Sequence, residues 1–516
     1  MKKSANPTIA NAAILLSIFL FVGRGLGLIR ETLFAGYFGL SRNFDLFLVI
    51  TIVPLIIPTI LSYIAQNFFI PKYLKLKSTD HKASKVFFVN SIYQFLFLGI
   101  AISLILILLK NSLIHSLLYG ISVSEYEIVK VIFVIYSLAI PFSAVFAVLA
   151  SYSQAEYDFQ SPVIAQTLLN VFVILSVLFL ASVKNVQSIA YGYFGGNIIQ
   201  TLYLYLILRF KYKFNFIRPK FLEGISQFNF SFLMIVIIEF LNQLFPFIDR
   251  SFYNSVNKGG ISALNYSTNL YLLPLSVLSI SYSTVMFPKM NDLMTRINTH
   301  DLKNKLNSFL STNIFIFSLI SAIYIYFGDS IIKILFQRGN FSSYDTAHTN
   351  ELLLVLSASF IFYSIYTVLN KLIYSLGYLK QLLILSISVL IIKYLIISLF
   401  IDSLQEKILA LSTSITYLVL FLVANFILSK ELGKNWNKNL VSQIILNIFN
   451  VIFSLIIVNV LFNSSENFSK FQGVPKLLGF TMIFFLNAAF IKLNAFEVLK
   501  NSIFNIFYRL VKIRVN

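Results

Sequence analysis

The chain is a succession of apolar runs, each long enough to cross a bilayer and parted from the next by a short polar loop. A span needs roughly 20 mostly apolar residues, and about fourteen such runs recur from end to end. They fall at roughly 9–30, 44–70, 86–109, 126–150, 162–181, 189–208, 227–250, 261–287, 307–328, 349–376, 382–401, 408–429, 441–462 and 475–491. The chain is 58% hydrophobic and 12% charged, with a mean hydropathy of +0.82, well outside the range of soluble domains. No Pro/Gly/Ser-rich linker, charge block or low-complexity stretch marks off a soluble domain. The expected fold is a single all-α polytopic membrane bundle.

Cysteine is absent, which removes disulfides, thiol nucleophiles and Cys–metal sites. The four histidines, His81, His115, His300 and His348, fall in separate predicted loops, so no metal site is expected. Lys2 and Lys3 precede an apolar run as in a signal peptide. That run continues into GRGLG without a small-residue cleavage site, and is expected to stay as an uncleaved first span. The net charge of +20 is distributed by loop. Lys72–Lys85, Arg209–Lys220, Lys289–Lys305, Lys430–Lys438 and the tail from Lys492 to Arg514 all lie on one side. By the positive-inside rule that side, with both termini, is cytoplasmic. The charge therefore reports topology, and no nucleic acid is expected as a partner. The tail NSIFNIFYRLVKIRVN alternates apolar and basic residues, which suits either an anionic inner leaflet or a solvated end.

An internal repeat underlies the spans. Arg30, Gly39 and Pro54 are matched by Arg250, Gly259 and Pro274 at an offset of 220 residues, with Asp45 opposite Asn265. Each stretch ends on a Pro-Lys pair, in IPKY and in FPKM, with a slip of three residues. If the first and seventh spans correspond, six spans separate them and orientation is preserved. That is the parallel-repeat plan of some transporters, with a site between the halves. The boundaries expected are 1–208 for the first lobe, 225–430 for the second, 441–491 for two added spans and 492–516 for a basic amphipathic tail.

Ionisable residues within spans are costly and mark functional positions. In FLFVGRGLGLIRETLF, Arg24 and Glu31 are seven residues apart and share a helical face, while Arg30 points elsewhere. Gly23, Gly25 and Gly27 permit close helix packing or a bend, and leave room for a bulky group. Their spacing is not that of a dinucleotide loop, and no strand precedes them. Arg30 and Glu31 also suit a membrane boundary, where arginine snorkels. In the seventh span Glu239, Asn242, Gln243, Pro246, Asp249 and Arg250 recur every three or four residues and predict a polar cavity wall, kinked at Pro246. Lys371 and Lys393 are further in-span cations, lining a cavity or snorkelling. Arginines in a cavity suit a phosphate- or carboxylate-bearing substrate, because guanidinium binds such oxygens in a bidentate fork at any physiological pH. There is no Walker motif and no cofactor is expected. Coupling to the membrane potential or to a monovalent cation is the expected energy source.

These stretches also resemble a known family. GRGLGLIRETLFAGYFG followed by NFDLFLVITIVP resembles the opening of the MurJ/MviN lipid II flippases of the MOP superfamily. FIDRSFYNSVNKGGISALNYSTNLYLLPLSVLSISYSTVMFPKM resembles their seventh and eighth spans, and LFQRGNFSSYDT their RGxF segment after the ninth. The resemblance implies two six-span lobes around a central cavity, with the last two spans forming a groove for a lipid tail. It implies a non-enzymatic flippase of the bacterial cytoplasmic membrane, carrying an undecaprenyl-pyrophosphate-linked peptidoglycan precursor outward by alternating access, with cell-wall synthases as candidate partners. Arg24 and Arg30 match family arginines implicated in head-group binding, and Asp45 an acidic residue near the outer gate. Two further family arginines are missing. The second-span position falls at Pro58 or Thr59 in PLIIPTIL, and the eighth-span position at Asn269 in NYSTNLYLLP. Arg250 is expected to compensate. Three other readings remain open at this point. One is a flippase for capsule, exopolysaccharide or O-antigen-type repeat units, and another a cation-coupled multidrug exporter, whose cavity should be acidic. The third is a membrane glycosyltransferase, which would need a larger acidic outer loop than Lys333–His348 or Asn463–Pro475 offers.

Overall fold

The computed structural model describes residues 9–212, 230–280, 299–432, 435–462 and 473–491 with Leu493, Phe496 and Lys500. Every regular element among these residues is a helix. In chain order they are α1 (Ile9–Phe38), α2 (Arg42–Ile64), α3 (Ile70–Thr79), α4 (His81–Leu117), α5 (Val123–Ala155), α6 (Gln160–Lys184), α7 (Gln187–Tyr212), α8 (Phe230–Ser251) and α9 (Gly260–Pro274). There follow α10 (Thr299–Phe336), α11 (Ser343–Ser357), α12 (Phe360–Ser375), α13 (Leu379–Leu404), α14 (Glu406–Leu432), α15 (Asn435–Phe462) and α16 (Gly473–Phe490). Each span drawn from sequence lands on a helix, in order.

The differences lie at the ends and the breaks. Helix α10 has 38 residues and α4 has 37, so at 1.5 Å per residue each runs about 55 Å, well past a hydrocarbon core of about 30 Å. Stretches read as loops are therefore largely helical. Lys72–Lys85 covers most of α3, the cap residue Asp80 and the start of α4, and only Gln337–Ser342 separates α10 from α11. The histidines are likewise not in loops. His81 opens α4, His115 sits in its last turn, His300 begins α10, and His348 lies within α11. The tenth span is broken, with α11 and α12 bent by 51°. Most of the tail and of the 209–224 stretch between the expected lobes lies outside the described residues.

Helix starts follow local chemistry. Asp80 accepts from the amides of Lys82 and Ala83 at 2.8 and 3.1 Å to open α4, and Ser122 with Glu125 forms a reciprocal capping box on α5. The repeat carries through to the backbone. Gly39, after α1, and Gly259, before α9, are matched at the 220-residue offset, and both adopt positive φ, +54° and +85°. Spans two and eight each contain a π-helical turn, at Ala65–Phe69 and Leu275–Ile280.

The chain divides into two compact units, residues 1–263 with 336–345 and residues 264–335 with 346–516. In the first, α6 packs on α7, α5 on α4 and α7, α2 on α5 and α8, and α1 on α6. Gly192 and Gly196 let α7 approach so closely that a Cβ there would lie 2.7 Å from Val173 Cα and 3.1 Å from Leu169 Cα. In the second unit α14 packs against α12 and α13, while α15 pairs with α16. Phe315 of α10 joins Phe480 and Phe484 of α16 in a buried cluster. The outward faces of α13 and α15 are aliphatic and aromatic: Ile384, Ile387, Ile391, Leu395 and Leu399, then Ile445, Phe449, Ile452 and Ile456, at helical spacing. Those faces suit lipid.

Candidate functional site

The first unit holds two charged layers. The deeper is built on the last turns of α1. Arg30 Nη2 pairs with Glu31 Oε1 at 2.7 Å, Nη1 donates to Asn170 Oδ1 of α6 at 3.1 Å, and the guanidinium lies 5.6 Å from the Phe34 ring centre. Arg30, placed on a different helical face from Arg24 and Glu31, therefore folds back onto Glu31. Arg30 Nε and Glu31 Oε2 are shielded from solvent with no hydrogen-bond partner among the described residues. Glu31 is buried while Arg30 is 31% exposed, and the shielded, unfilled valences of the pair are poorly compensated for their desolvation.

Helix α8 brings the second arginine. Arg250 donates to the carbonyl of Leu48 on α2 at 2.6 Å. Tyr136 of α5 lies within electrostatic reach of Arg30, Glu31 and Arg250, so cations matched by the repeat share one layer. Asp249 is buried and stands in the field of Arg250. Tyr136 stacks on Tyr193 of α7 at 4.3 Å. Below them Ser143 Oγ and Gln200 Nε2 both donate to Asn197 Oδ1, at 2.7 and 2.8 Å, which fixes the aromatic pair to a polar network.

The other layer closes one end. Asp45 of α2 is fully buried. Its Oδ2 accepts from Gly259 N at 2.6 Å, and its Oδ1 from Ser262 N and Oγ at 2.7 and 2.5 Å. A side chain from the first repeat thus caps a helix of the second, where the exposed amides and the helix dipole favour a carboxylate. Gly259 is required here, since a Cβ would lie 2.7 Å from the Leu40 carbonyl oxygen. The RGNF segment adds to the closure. Asn340 N donates to Gly36 O at 2.8 Å and its Nδ2 to Tyr37 O at 2.6 Å. Arg42 pairs with Glu125 at 2.5 Å, outside the spans. This bond raises the Arg42 pKa, and it draws the Glu125 carboxyl below its ordinary value against the opposing effect of burial.

A family model described as lipid II flippase MurJ matches residues 34–479, which contain this clasp, Arg250 and the RGNF segment. The chain belongs to the lipid II flippase MurJ family. A probable lipid II flippase of Borreliella burgdorferi is 26% identical over 440 residues, covering 81% of this chain and 83% of that protein. The lipid II flippase of Thermosipho africanus is 26% identical over 364 residues, covering 70% and 73%. A solved lipid II flippase in an inward closed conformation superposes with a TM-score of 0.77 at 22% identity, over 93% of this chain and 99% of that one. An inward-facing multidrug MATE transporter of the MOP superfamily gives 0.62 at 14% identity, over 84% and 98%. At those identities the structural matches establish the fold alone, one shared by the flippase and the MATE transporter.

Within this family fold the remaining expected residues separate. Arg24 is exposed and makes no hydrogen bond or ion pair to a described residue. A Cβ built at Gly23, Gly25 or Gly27 meets nothing within 4 Å among the described residues, so these glycines open space instead of packing helices. Gln243 Nε2 donates to Glu239 Oε1 at 2.8 Å, Asn242 is exposed, and α8 runs on through Pro246. Asn269 and Lys371 are half-buried in the second unit, and Lys393 is buried there with Nζ 3.0 Å from Thr413 Oγ1. His348 Nε2 lies 2.6 Å from Glu406 Oε1. Asn170, Tyr136 and Tyr193 also belong to the arginine layer, and as neutral polar residues within apolar runs they carry no charge to single them out in the sequence.

Proposed function

We propose that this chain is a flippase that carries lipid II across the cytoplasmic membrane by alternating access, without making or breaking covalent bonds. The observation that supports this best is the shared layer of Arg30 and Arg250, one from each repeat, around a poorly satisfied ion pair. Arg30 is held by Glu31 alone on its charged side. An arriving pyrophosphate takes the place of Glu31 and offers more oxygens to the same guanidinium, so binding is an exchange of anions. Arg250 uses one donor on Leu48, and a guanidinium has five. Arg24, six residues earlier and about 9 Å along α1, is the first contact on the path.

With the basic loops inside, the Asp45 clasp faces outward. A closed clasp then corresponds to access from the cytoplasm, and its release to delivery on the other side. The first twelve spans act as two lobes, with α15 and α16 guiding the lipid tail. The membrane potential supplies drive, at about 2.3 kcal/mol per charge for each 100 mV. The test is lipid II flipping in proteoliposomes. Arg30→Ala and Arg250→Ala are each expected to lower it by about tenfold or more, with Arg30→Lys retaining part. Wild-type protein that neither binds nor flips lipid II overturns the proposal.

A further inference from the structure

Helix α12 divides into two faces. Phe360, Ile361, Ser364, Ile365, Val368, Leu369, Leu372 and Ile373 are buried against its neighbours. The opposite face is half-buried, and along it run Tyr363, Tyr366, Thr367, Asn370 and Lys371 at spacings of three, one, three and one. Contrast the outward faces of α13 and α15, where most exposed positions are aliphatic or phenylalanine and the polar ones away from the helix ends, Tyr394, Ser398 and Ser442, are neutral and isolated. A hydroxyl, an amide and an ammonium in one stripe are too costly to face hydrocarbon, so this stripe borders water. The stripe is also set in place. Tyr363 stacks on Tyr417 of α14 at 3.9 Å and lies 6.2 Å from Tyr366, and Tyr271 of α9 lies parallel to Tyr417 at 6.0 Å. Asn370 Oδ1 is shielded from bulk solvent and has no hydrogen-bond partner among the described residues.

We infer that the Tyr363–Tyr366–Asn370–Lys371 face of α12 is a recognition surface for the sugar and peptide part of the lipid-linked substrate. The inference rests on the lipid II reading and deepens it. Tyrosine rings offer apolar faces to sugar C–H groups together with a polar hydroxyl, at little entropic cost. Asn370 supplies a donor and an acceptor for sugar hydroxyls or peptide amides. Lys371 is a mobile point cation suited to a peptide carboxylate. The stripe runs over nine residues, about 12 Å of helix, which matches a sugar with part of a peptide.

Native mass spectrometry of the full chain separates the two statements, with lipid II and sugar-free undecaprenyl pyrophosphate as probes. For Tyr366→Ala, Asn370→Ala and Lys371→Ala, lipid II binding is expected to weaken by about fivefold or more while undecaprenyl pyrophosphate binding changes by less than about twofold. Tyr366→Phe and Lys371→Arg, which keep ring and charge, should retain most lipid II binding and guard against misfolded variants. Equal losses for both lipids, or unchanged lipid II binding, overturn the inference and leave the flippase reading standing. Wild-type protein that binds neither lipid overturns both.

Discussion

Asp45 and Glu31 are both buried carboxylates in the first unit, and they are treated in opposite ways. Asp45 is filled on both oxygens by two amides and a hydroxyl from one helix N-terminus. Glu31 has one oxygen on Arg30 and the other without a partner among the described residues. The first arrangement locks two segments together and has no valence left for a ligand. The second is held loosely enough for a competing anion to displace it. Two buried carboxylates of the same side-chain chemistry thus differ in how completely the charge is satisfied.

The clasp should break hardest. Asp45→Ala leaves the Gly259 and Ser262 amides uncapped, at a cost of about 2–5 kcal/mol, and should release the closed end. Because the chain has no cysteine, Ala263→Cys gives a clean reporter at a position that is fully buried. Its labelling by a membrane-impermeant maleimide should rise by about tenfold or more in the Asp45→Ala background, as a shift of over 1.4 kcal/mol requires. Unchanged labelling would show that the carboxylate does not hold the gate.

The glycines give a smaller contrast. Gly259→Ala places a Cβ at positive φ against the Leu40 carbonyl and should cost about 1–3 kcal/mol in thermal unfolding. Gly27→Ala, in open space on a helix, should change stability by less than about 1 kcal/mol, in the favourable direction of helix propensity. Equal effects at the two sites would remove the distinction between a packed clasp and an open arginine layer.

Much of the fold could be read from sequence because lipid forces every backbone group into helical bonds, leaving only span positions to find. The bend between α11 and α12 could not, since neither Ala358 nor Ser359 carries the signal that proline or glycine would give. Helices running past the bilayer also looked like loops, because polarity marks the membrane boundary and not the helix end. In the site, Arg30, Glu31, Asp249 and Arg250 were legible through the cost of burying charge. Tyr136 and Asn170 were not, since neutral polar groups are cheap enough to occur in many spans. Asp45 was noticed, but its partners lie 214 and 217 residues away, and no local pattern names them.

Glu31→Gln tests the loose side of the comparison. It weakens the hold on Arg30 without removing bulk, so inorganic pyrophosphate should bind the purified protein several-fold more tightly, about 1 kcal/mol by the usual worth of a charged bond. Flipping need not rise with it, because release slows as binding tightens. A fall in pyrophosphate affinity would mean that Glu31 orients Arg30 for the anion and does not compete with it.

The smallest effect is expected at the outer rim of the clasp, from the Arg42–Glu125 pair. Burial raises the Glu125 carboxyl, but the Arg42 bond, the Ser122 bonds and the Arg42 charge together hold it below its ordinary value in the folded chain. A depressed carboxylate contributes stability above its unfolded pKa, about 4.3, and loses it as pH falls through the folded value. The melting-temperature gap between wild type and Glu125→Gln should therefore be constant from about pH 7 to pH 5 and close only below the ordinary carboxylate range. Arg42 is 45% exposed, so solvent screens the pair and the gap should correspond to less than about 1 kcal/mol. A gap that closes already near neutral pH would point to a histidine and not to this pair. A gap that never appears would leave Asp45 and the RGNF segment to hold the clasp without it.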